Sequence, residues 1–456
     1  MNQYIIVGVI LAVLVALLAT NKKLVETLKN IYKIEELRKR ILFTLGLLLI
    51  YRLGSFVTLP GVDHSVLQAW TENFAKDANS LMGLLNIFSG GAFSQASIFA
   101  LGVMPYITAS IIIQLLGIMV PYFRKMQREG ESGRRRMNQW TRFLTIAVLI
   151  LQAPAYLGTQ VIASGAVATT GSFLGWEHGA FMIPAVIVLI AGTMFIMWLG
   201  EKITDKGIGN GISLIIMIGI VARLPHAFLE ELTFKFGPDG NIIMLIVELI
   251  FLALVFMLTI AIVQAVRKIP VQYAKRIVGN KQYGGVRQYI PLKLNAANVM
   301  PIIFAQALMF IPGLIWKGQW LDVASWQYNI TLVVLVIAFT YFYTAIIVNP
   351  QMMADDMKRN GGFIPGVKPG KSTVSYIDDI MTRITLPGSI FLALITVLPA
   401  VAMAIGIKQG FAYFFGGTSL LIMVGVVLDT LKQIESYLLN RHYDGLMKTG
   451  RIQGRY

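Results

Sequence analysis

Apolar residues come along this chain in long runs, separated by short polar stretches that are mostly basic. Ten runs are of good quality, near 41–58, 97–121, 143–163, 181–199, 208–225, 241–266, 298–316, 329–348, 384–406 and 412–428. Crossing the ~30 Å hydrocarbon core takes roughly 20 mostly apolar residues in a helix. The pattern predicts an all-α polytopic membrane protein with ten transmembrane helices. An eleventh run, 4–19, is short. The alternation over about ten residues that marks a membrane β-barrel is missing.

One run begins unlike the others. "NIFSGGAFSQASIFALGVMPYITASIIIQ", Asn86 to Gln114, reads as a membrane helix only in its right half. Its left half is small, polar and glycine-rich. Ser89, Ser94, Gln95 and Ser97 are poor lipid neighbours, and irregular backbone at membrane depth needs protein or a water-filled cavity around it. The segment is therefore expected inside a helix bundle, facing a cavity. The plainer alternative is a turn before a helix, with Ser94 or Ser97 as N-cap. Pro105 is expected to kink the 97–121 helix. Thr108, Gln114, Gln152, Asn295 and Asn298 are uncharged polar residues within spans, the kind that bonds across helices. Charged residues in the spans are few: Arg52, Arg223 and Glu248. A proton-coupled carrier would show more of them.

Charge placement supplies an orientation. With 22–40 set in the cytoplasm and sides alternating, 33 of the 39 Lys and Arg fall on the cytoplasmic side. This positive-inside bias puts the C-terminus in the cytoplasm. It closes only if 97–121 crosses fully and 81–96 does not. Spans 41–225 and 241–428 then form two five-helix halves, and an odd count gives them opposite orientations, as in an inverted repeat. The loops 267–293 and 351–383 are long and basic, suited to ribosomal RNA or anionic lipid heads.

Overall composition agrees: 56% of residues are hydrophobic and 14% charged, against about 25% charged in soluble domains. Cysteine is absent and the four histidines are scattered, which removes disulfides and leaves no metal-ligand spacing. "GVKPGKS", Gly366 to Ser372, resembles a phosphate loop, but Pro365 stands where the first glycine belongs. "GIGNG", Gly207 to Gly211, reads as a tight turn. No nucleophile and base are paired, so an enzyme is not expected. A secondary transporter with inverted repeats and a passive ribosome or membrane scaffold are the alternatives to a channel.

From about Lys22 onward the chain resembles the bacterial SecY family, the central subunits of the Sec protein-conducting channel. The stretches that carry the resemblance are "RLGSFVTLPGVD" (52–63), the 86–116 stretch, "GTMFIMWLGEKITDKGIGNGIS" (192–213), "YAKR" with "PLKLN", "FIPGVKPGKST" with "YIDDIMTRIT", and "FGGTSLLI" (415–422). The resemblance implies a channel that moves unfolded polypeptides across the cytoplasmic membrane and releases apolar segments sideways into lipid. It implies a plug at 81–93, a short helix that includes Asn86, Ser89, Gly90, Gly91 and Phe93. It implies a pore ring of Val103, Ile107, Ile212, Ile216, Ile303 and Ile422. It implies a lateral gate at Thr108, Gln152, Asn295 and Ile311, whose polar members bond to one another. It further implies ribosome- and motor-binding loops with Arg267, Lys268, Lys275, Arg276, Lys281, Lys368 and Lys371.

The implied partners are SecE, SecG, the motor ATPase SecA, the ribosome and signal-bearing polypeptides, with YidC, SecDF and membrane lipids as further candidates. Catalytic residues, metal and cofactor are not implied. Two departures stand out. Lys368 occupies a place where the family usually has Arg, so charge remains but a bidentate contact is lost. Residues 1–20 have no family counterpart and are expected to be an anchor, a fusion or a substrate-like segment. Residues 21–40 are expected as a cytoplasmic amphipathic segment and 429–456 as a cytoplasmic tail.

Overall fold

The structure is a computed structural model that describes residues 34–67, 86, 89–167, 179–237, 241–273, 276–278, 281–283, 287–315, 323 and 325–448. The extra segment 1–20 and most of the expected amphipathic stretch lie outside the described residues.

Each of the ten apolar runs carries a helix. In chain order they are α1 (Glu35–Gly54), α2 (Met104–Met119), the short α3 (Pro121–Arg128), α4 (Glu131–Tyr156), α5 (Gly179–Lys206), α6 (Gly211–Lys235) and α7 (Ile242–Gln264). Then come α8 (Met300–Ile315), α9 (Trp326–Ile347), the polar α10 (Pro350–Arg359), α11 (Lys371–Ala404), the one-turn α12 (Gln409–Ala412) and α13 (Gly417–Lys448). Among the described residues, seven helices are long and apolar enough to cross a membrane, or eight if the bent pair α2–α3 counts as one. The outward faces fit lipid: α7 exposes Ile243, Ile246, Val247, Ile250, Leu254 and Met257.

α2 and α8 are shorter than the rest, at 16 residues each. At 1.5 Å per residue that is about 24 Å, short of the hydrocarbon thickness. Both follow a stretch of turns, 89–103 before α2 and 294–299 before α8. This corrects the expectation for Pro105. It lies in the first turn of α2, where a missing N–H costs nothing, so it starts the helix and kinks nothing. The sharp bend comes later, at Val120, where the extended backbone turns the chain by 99° into α3. In α4, Pro154 lies one turn before a π-helical turn, Leu157–Ile162.

The chain divides into two compact units. One runs from the N-terminus to Leu229 and takes up the chain again from Val426; the other is Glu230–Gly425. The first unit's core joins Leu59, Ala96 and Ala100 to Ala153, Tyr156, Leu157 and Val161 of α4 and its π turn, and to Phe181, Ala185 and Leu189 of α5. Beside it, Asp63 accepts bonds from the hydroxyl and amide of Ser65, which hold its carboxyl below the usual range.

The second unit contains what the apolar pattern does not show. Its basic loops form a small sheet. β1 (Val266–Tyr273) pairs antiparallel with β4 (Arg287–Lys293) and, at its end, with β5 (Gly362–Phe363); β2 (Arg276–Val278) and β3 (Lys281–Tyr283) make a second hairpin. Ile269 and Val271, two apart on β1, face inward with Leu292 onto Met357, Ile364, Ile377 and Met381. That is the period of a half-buried strand. Pro270 is tolerated because at that register β1 has only β4 beside it. The expected all-α class therefore holds for the apolar spans and misses this sheet.

Candidate functional site

The glycine-rich stretch ahead of α2 is folded as turns from Ser89 to Val103. Residues 81–85 and 87–88 of the expected plug lie outside the described residues. Of the described remainder, Asn86 is helical and Ser89 to Phe93 are turns, so any plug helix ends before Ser89. The N-cap alternative fails: Ser97 Oγ accepts from the Phe99 amide, and the cap of α2 is Val103, which makes no side-chain bond.

What holds this stretch is a set of bonds both local and distant. The Asn86 side-chain oxygen accepts from the Ser94 amide at 3.2 Å, and the Ser89 hydroxyl from the Phe93 amide at 3.0 Å. Three helices of the first unit reach in as well. Arg52 of α1 donates to the Gly90 carbonyl at 2.8 Å. Tyr156 of α4 donates to the Phe93 carbonyl at 2.7 Å, its ring against that of Phe93. Arg223 of α6 donates to the Ser94 hydroxyl at 3.3 Å. Gly90 and Gly91 have φ of +65° and +95°, a region that disfavours side chains. A Cβ on Gly90 would stand 2.9 Å from Gly219 Cα of α6, and one on Gly91 3.0 Å from Arg223 Nη2. The paired glycines thus let the backbone lie directly on α6 and its arginine. Arg52, Tyr156 and Arg223 were not among the residues expected here. The sequence signal for the two arginines was their rarity within apolar spans; for Tyr156 there was none.

The expected ring residues divide between the units. Val103, Ile107, Ile212 and Ile216 lie in the first; Ile303 and Ile422 lie in the second. Val103 and Ile422 are buried and the other four half-buried. Within the sequence, "VMPYI" and "VMPII" place Ile107 and Ile303 at matching positions, each two residues after the proline that opens its helix. The expected gate residues bond locally. Thr108 donates to the Met104 carbonyl one turn back, and the Asn295 amide donates to the Asn298 carbonyl. Gln152 is exposed. The side chain of Ile311, on α8, lies outside the described residues.

On the basic face, Arg267 and Lys268 project from β1, exposed, and Lys368 and Lys371 are exposed around the start of α11. Arg276 and Lys281 stand on β2 and β3 with side chains that are not described, and Lys275 lies outside the described residues. Among the described residues, no three of His, Cys, Asp and Glu converge as metal ligands.

Known proteins resemble the chain along nearly its whole length. The sequence profile of the SecY family matches residues 97–431. The protein translocase subunit SecY of Corynebacterium glutamicum is 41% identical, over 91% of this chain and 98% of that one. Its counterpart in Streptomyces coelicolor is 44% identical over the same shares. Among solved structures, a protein-conducting channel superposes over 87% of this chain and 91% of its own, with a TM-score of 0.58 at 17% identity. Canine Sec61 in a ribosome–channel complex gives a TM-score of 0.53 at 16% identity over the same shares. At those identities the structural likeness speaks for the fold. With the profile and the near-full-length relatives, the chain belongs to the SecY family.

Proposed function

We propose that this chain is the channel-forming subunit through which unfolded polypeptides cross a bacterial cell membrane and from which apolar segments leave sideways into lipid. The observation that carries the reading is the near-full-length match to translocase SecY subunits. The small, polar stretch at 89–97, largely buried and bonded to α1, α4 and α6, supports it. In this reading all ten apolar helices span, in two inverted halves, 41–225 and 241–428, with the C-terminus in the cytoplasm. Residues 81–93 are the plug. Val103, Ile107, Ile212, Ile216, Ile303 and Ile422 form the ring. Aliphatic side chains suit that task, because they close around any passing sequence while a dry constriction resists ions. Thr108, Gln152, Asn295 and Ile311 mark the lateral gate. The chain performs no chemistry of its own, and the motor is a partner, SecA, beside SecE and SecG.

The deciding experiment is ion conductance of the intact complex in a planar bilayer. The parent should be nearly silent, and deletion of residues 81–93 should give a steady conductance. A deletion variant as silent as the parent overturns the channel-and-plug reading in favour of a carrier or scaffold.

The basic strand carries a second expectation. Sec61 is solved in a complex with a ribosome, and here Arg267 and Lys268 stand exposed on β1. Charge reversal at Arg267, Lys268, Lys275 and Arg276 should weaken ribosome binding and flatten its dependence on salt, since each lost phosphate contact lowers the slope by about one. Unchanged affinity and slope would move the docking site to the 351–383 loop.

A further inference from the structure

We infer that Arg52 and Arg223 are positioning residues: together they latch the 89–97 stretch in place and so set how tightly the idle channel is sealed. This rests on the plug reading above. The warrant is the geometry of three contacts to one short polar stretch. Arg52 and Arg223 come from helices far apart in sequence, 38 and 129 residues from the acceptors they bond. Each is half-buried and sits where a charge is disfavoured by its apolar surroundings. Arg52 Nη1 also donates to Ser55 Oγ, and its guanidinium lies 4.7 Å from the Phe56 ring centre. These contacts fix the fork that points at Gly90.

The chemistry of the acceptors gives the latch its character. Arg52 holds a backbone carbonyl and Arg223 a serine hydroxyl. Both are neutral, so neither is a salt bridge. A charge-assisted hydrogen bond of this kind is strong enough to hold a loop. It is also weak enough to break without leaving an unpaired carboxylate behind. When the stretch moves, each guanidinium can turn to water in the opened cavity. Tyr156 adds a third point, on the Phe93 carbonyl. The latch differs from simple packing in one respect. Its two charged members lie outside the plug, on α1 and α6, so a motion of either helix is felt directly at Gly90 or Ser94. Gly90 against Gly219 makes the α6 contact close enough for this.

The test uses the intact complex in a planar bilayer, with idle conductance as one readout and secretion of a reporter bearing a defective signal sequence as the other. Deletion of 81–93 is the reference for a fully unsealed pore. Arg52→Gln and Arg223→Gln should each raise idle open time roughly tenfold, the loss expected for one charge-assisted bond, and the double variant should approach the deletion. Both should also pass more of the defective-signal reporter. Ser94→Ala removes the acceptor together with the hydroxyl's own bond to the Gly91 carbonyl, so it should reproduce at least much of the Arg223→Gln effect, and its effect on top of Arg223→Gln should be smaller than its effect alone. Arg223→Lys, which keeps a donor, should restore part of the seal. If the glutamine variants reduce the amount of assembled complex, Ser94→Ala decides: sealing equal to the parent overturns the Arg223 half of the latch. Glutamine variants as tight as the parent, beside a leaking deletion, overturn the latch and leave the plug reading intact. A deletion that does not leak overturns the plug reading itself.

Discussion

Replacing Lys235 by methionine should destabilise the second unit by about 3–5 kcal/mol, the loss seen when one partner of a buried ion pair is removed. Lys235 is 5% exposed, between two carboxylates: Glu248 of α7 at 2.7 Å and Glu231, one turn back on α6, at 3.5 Å. Glu248 is 2% exposed and Glu231 fully buried. Glu231 is held in turn by the Lys408 amide at 2.9 Å. Without the ammonium, two buried negative charges would face each other. The measurement is thermal unfolding of the purified complex in detergent, followed by tryptophan fluorescence. The informative comparison is the double variant. Glu248→Gln alone removes the nearer partner but leaves Lys235 paired with Glu231, so its cost should be smaller. Combined with Lys235→Met it should recover part of the stability lost, because one of the two stranded charges is gone. The two costs then fail to add, as expected for contacting groups. A Lys235→Met complex that melts with the parent, or strict additivity, would show that the cluster contributes nothing to the stability of the second unit.

That cluster illustrates what the sequence could and could not disclose. Hydropathy reports what lipid tolerates, so the ten helices are legible as apolar runs. It does not report where helical backbone begins. α1 starts at Glu35 and α11 at Lys371, six and thirteen residues before their apolar runs, because charged turns extend helices beyond the apolar stretch. The same blindness works in reverse at 97–103, apolar enough for a span yet folded as turns. The strands in the 267–293 loop were hidden by charge and by Pro270 and Pro291, which argue locally against a sheet. Their pairing is visible only once β1 and β4 lie side by side. Of the site, the peculiar composition of 86–97 was readable and its family role came from resemblance. The grip on it was not readable. Arg52 and Arg223 stood out as charges in apolar runs, but nothing local to either residue names Gly90 or Ser94 as its acceptor. Glu248 stood out in the same way, and its partner Lys235 looked like an ordinary loop residue.

Gly192→Val should disrupt the first unit severely, while Gly46→Ala, on the same unit, should do no harm. The contrast isolates packing from helix propensity. Gly46 lies on α1 with nothing within 4 Å of an added Cβ, so alanine there should be neutral or stabilising by about 0.5–1 kcal/mol. Gly192 lies in the middle of α5, where propensity predicts the same small gain for alanine and a smaller one for valine. Yet a Cβ there would come within 2.1 Å of the Ile98 carbonyl oxygen, and backbone cannot yield as a flexible side chain can. Ile98 is pinned on its other side, its amide donating to the Val57 carbonyl at 2.9 Å. The neighbouring Phe99 is held between the rings of Tyr51 and Phe195, at 6.0 and 6.1 Å. The turn stretch is thus wedged between α1 and α5, and α5 must move outward to admit any side chain at 192. Overpacking of this kind costs roughly 1–3 kcal/mol and more where nothing can relax. It would also shift Val103, five residues after Ile98 and proposed for the ring, so the milder Gly192→Ala should leak ions before it unfolds. Melting temperature and idle conductance across the three variants check this. Equal stability of Gly192→Val and Gly46→Ala would mean that the turn stretch is not clamped between α1 and α5, and that the bonds from Arg52, Tyr156 and Arg223 hold it alone.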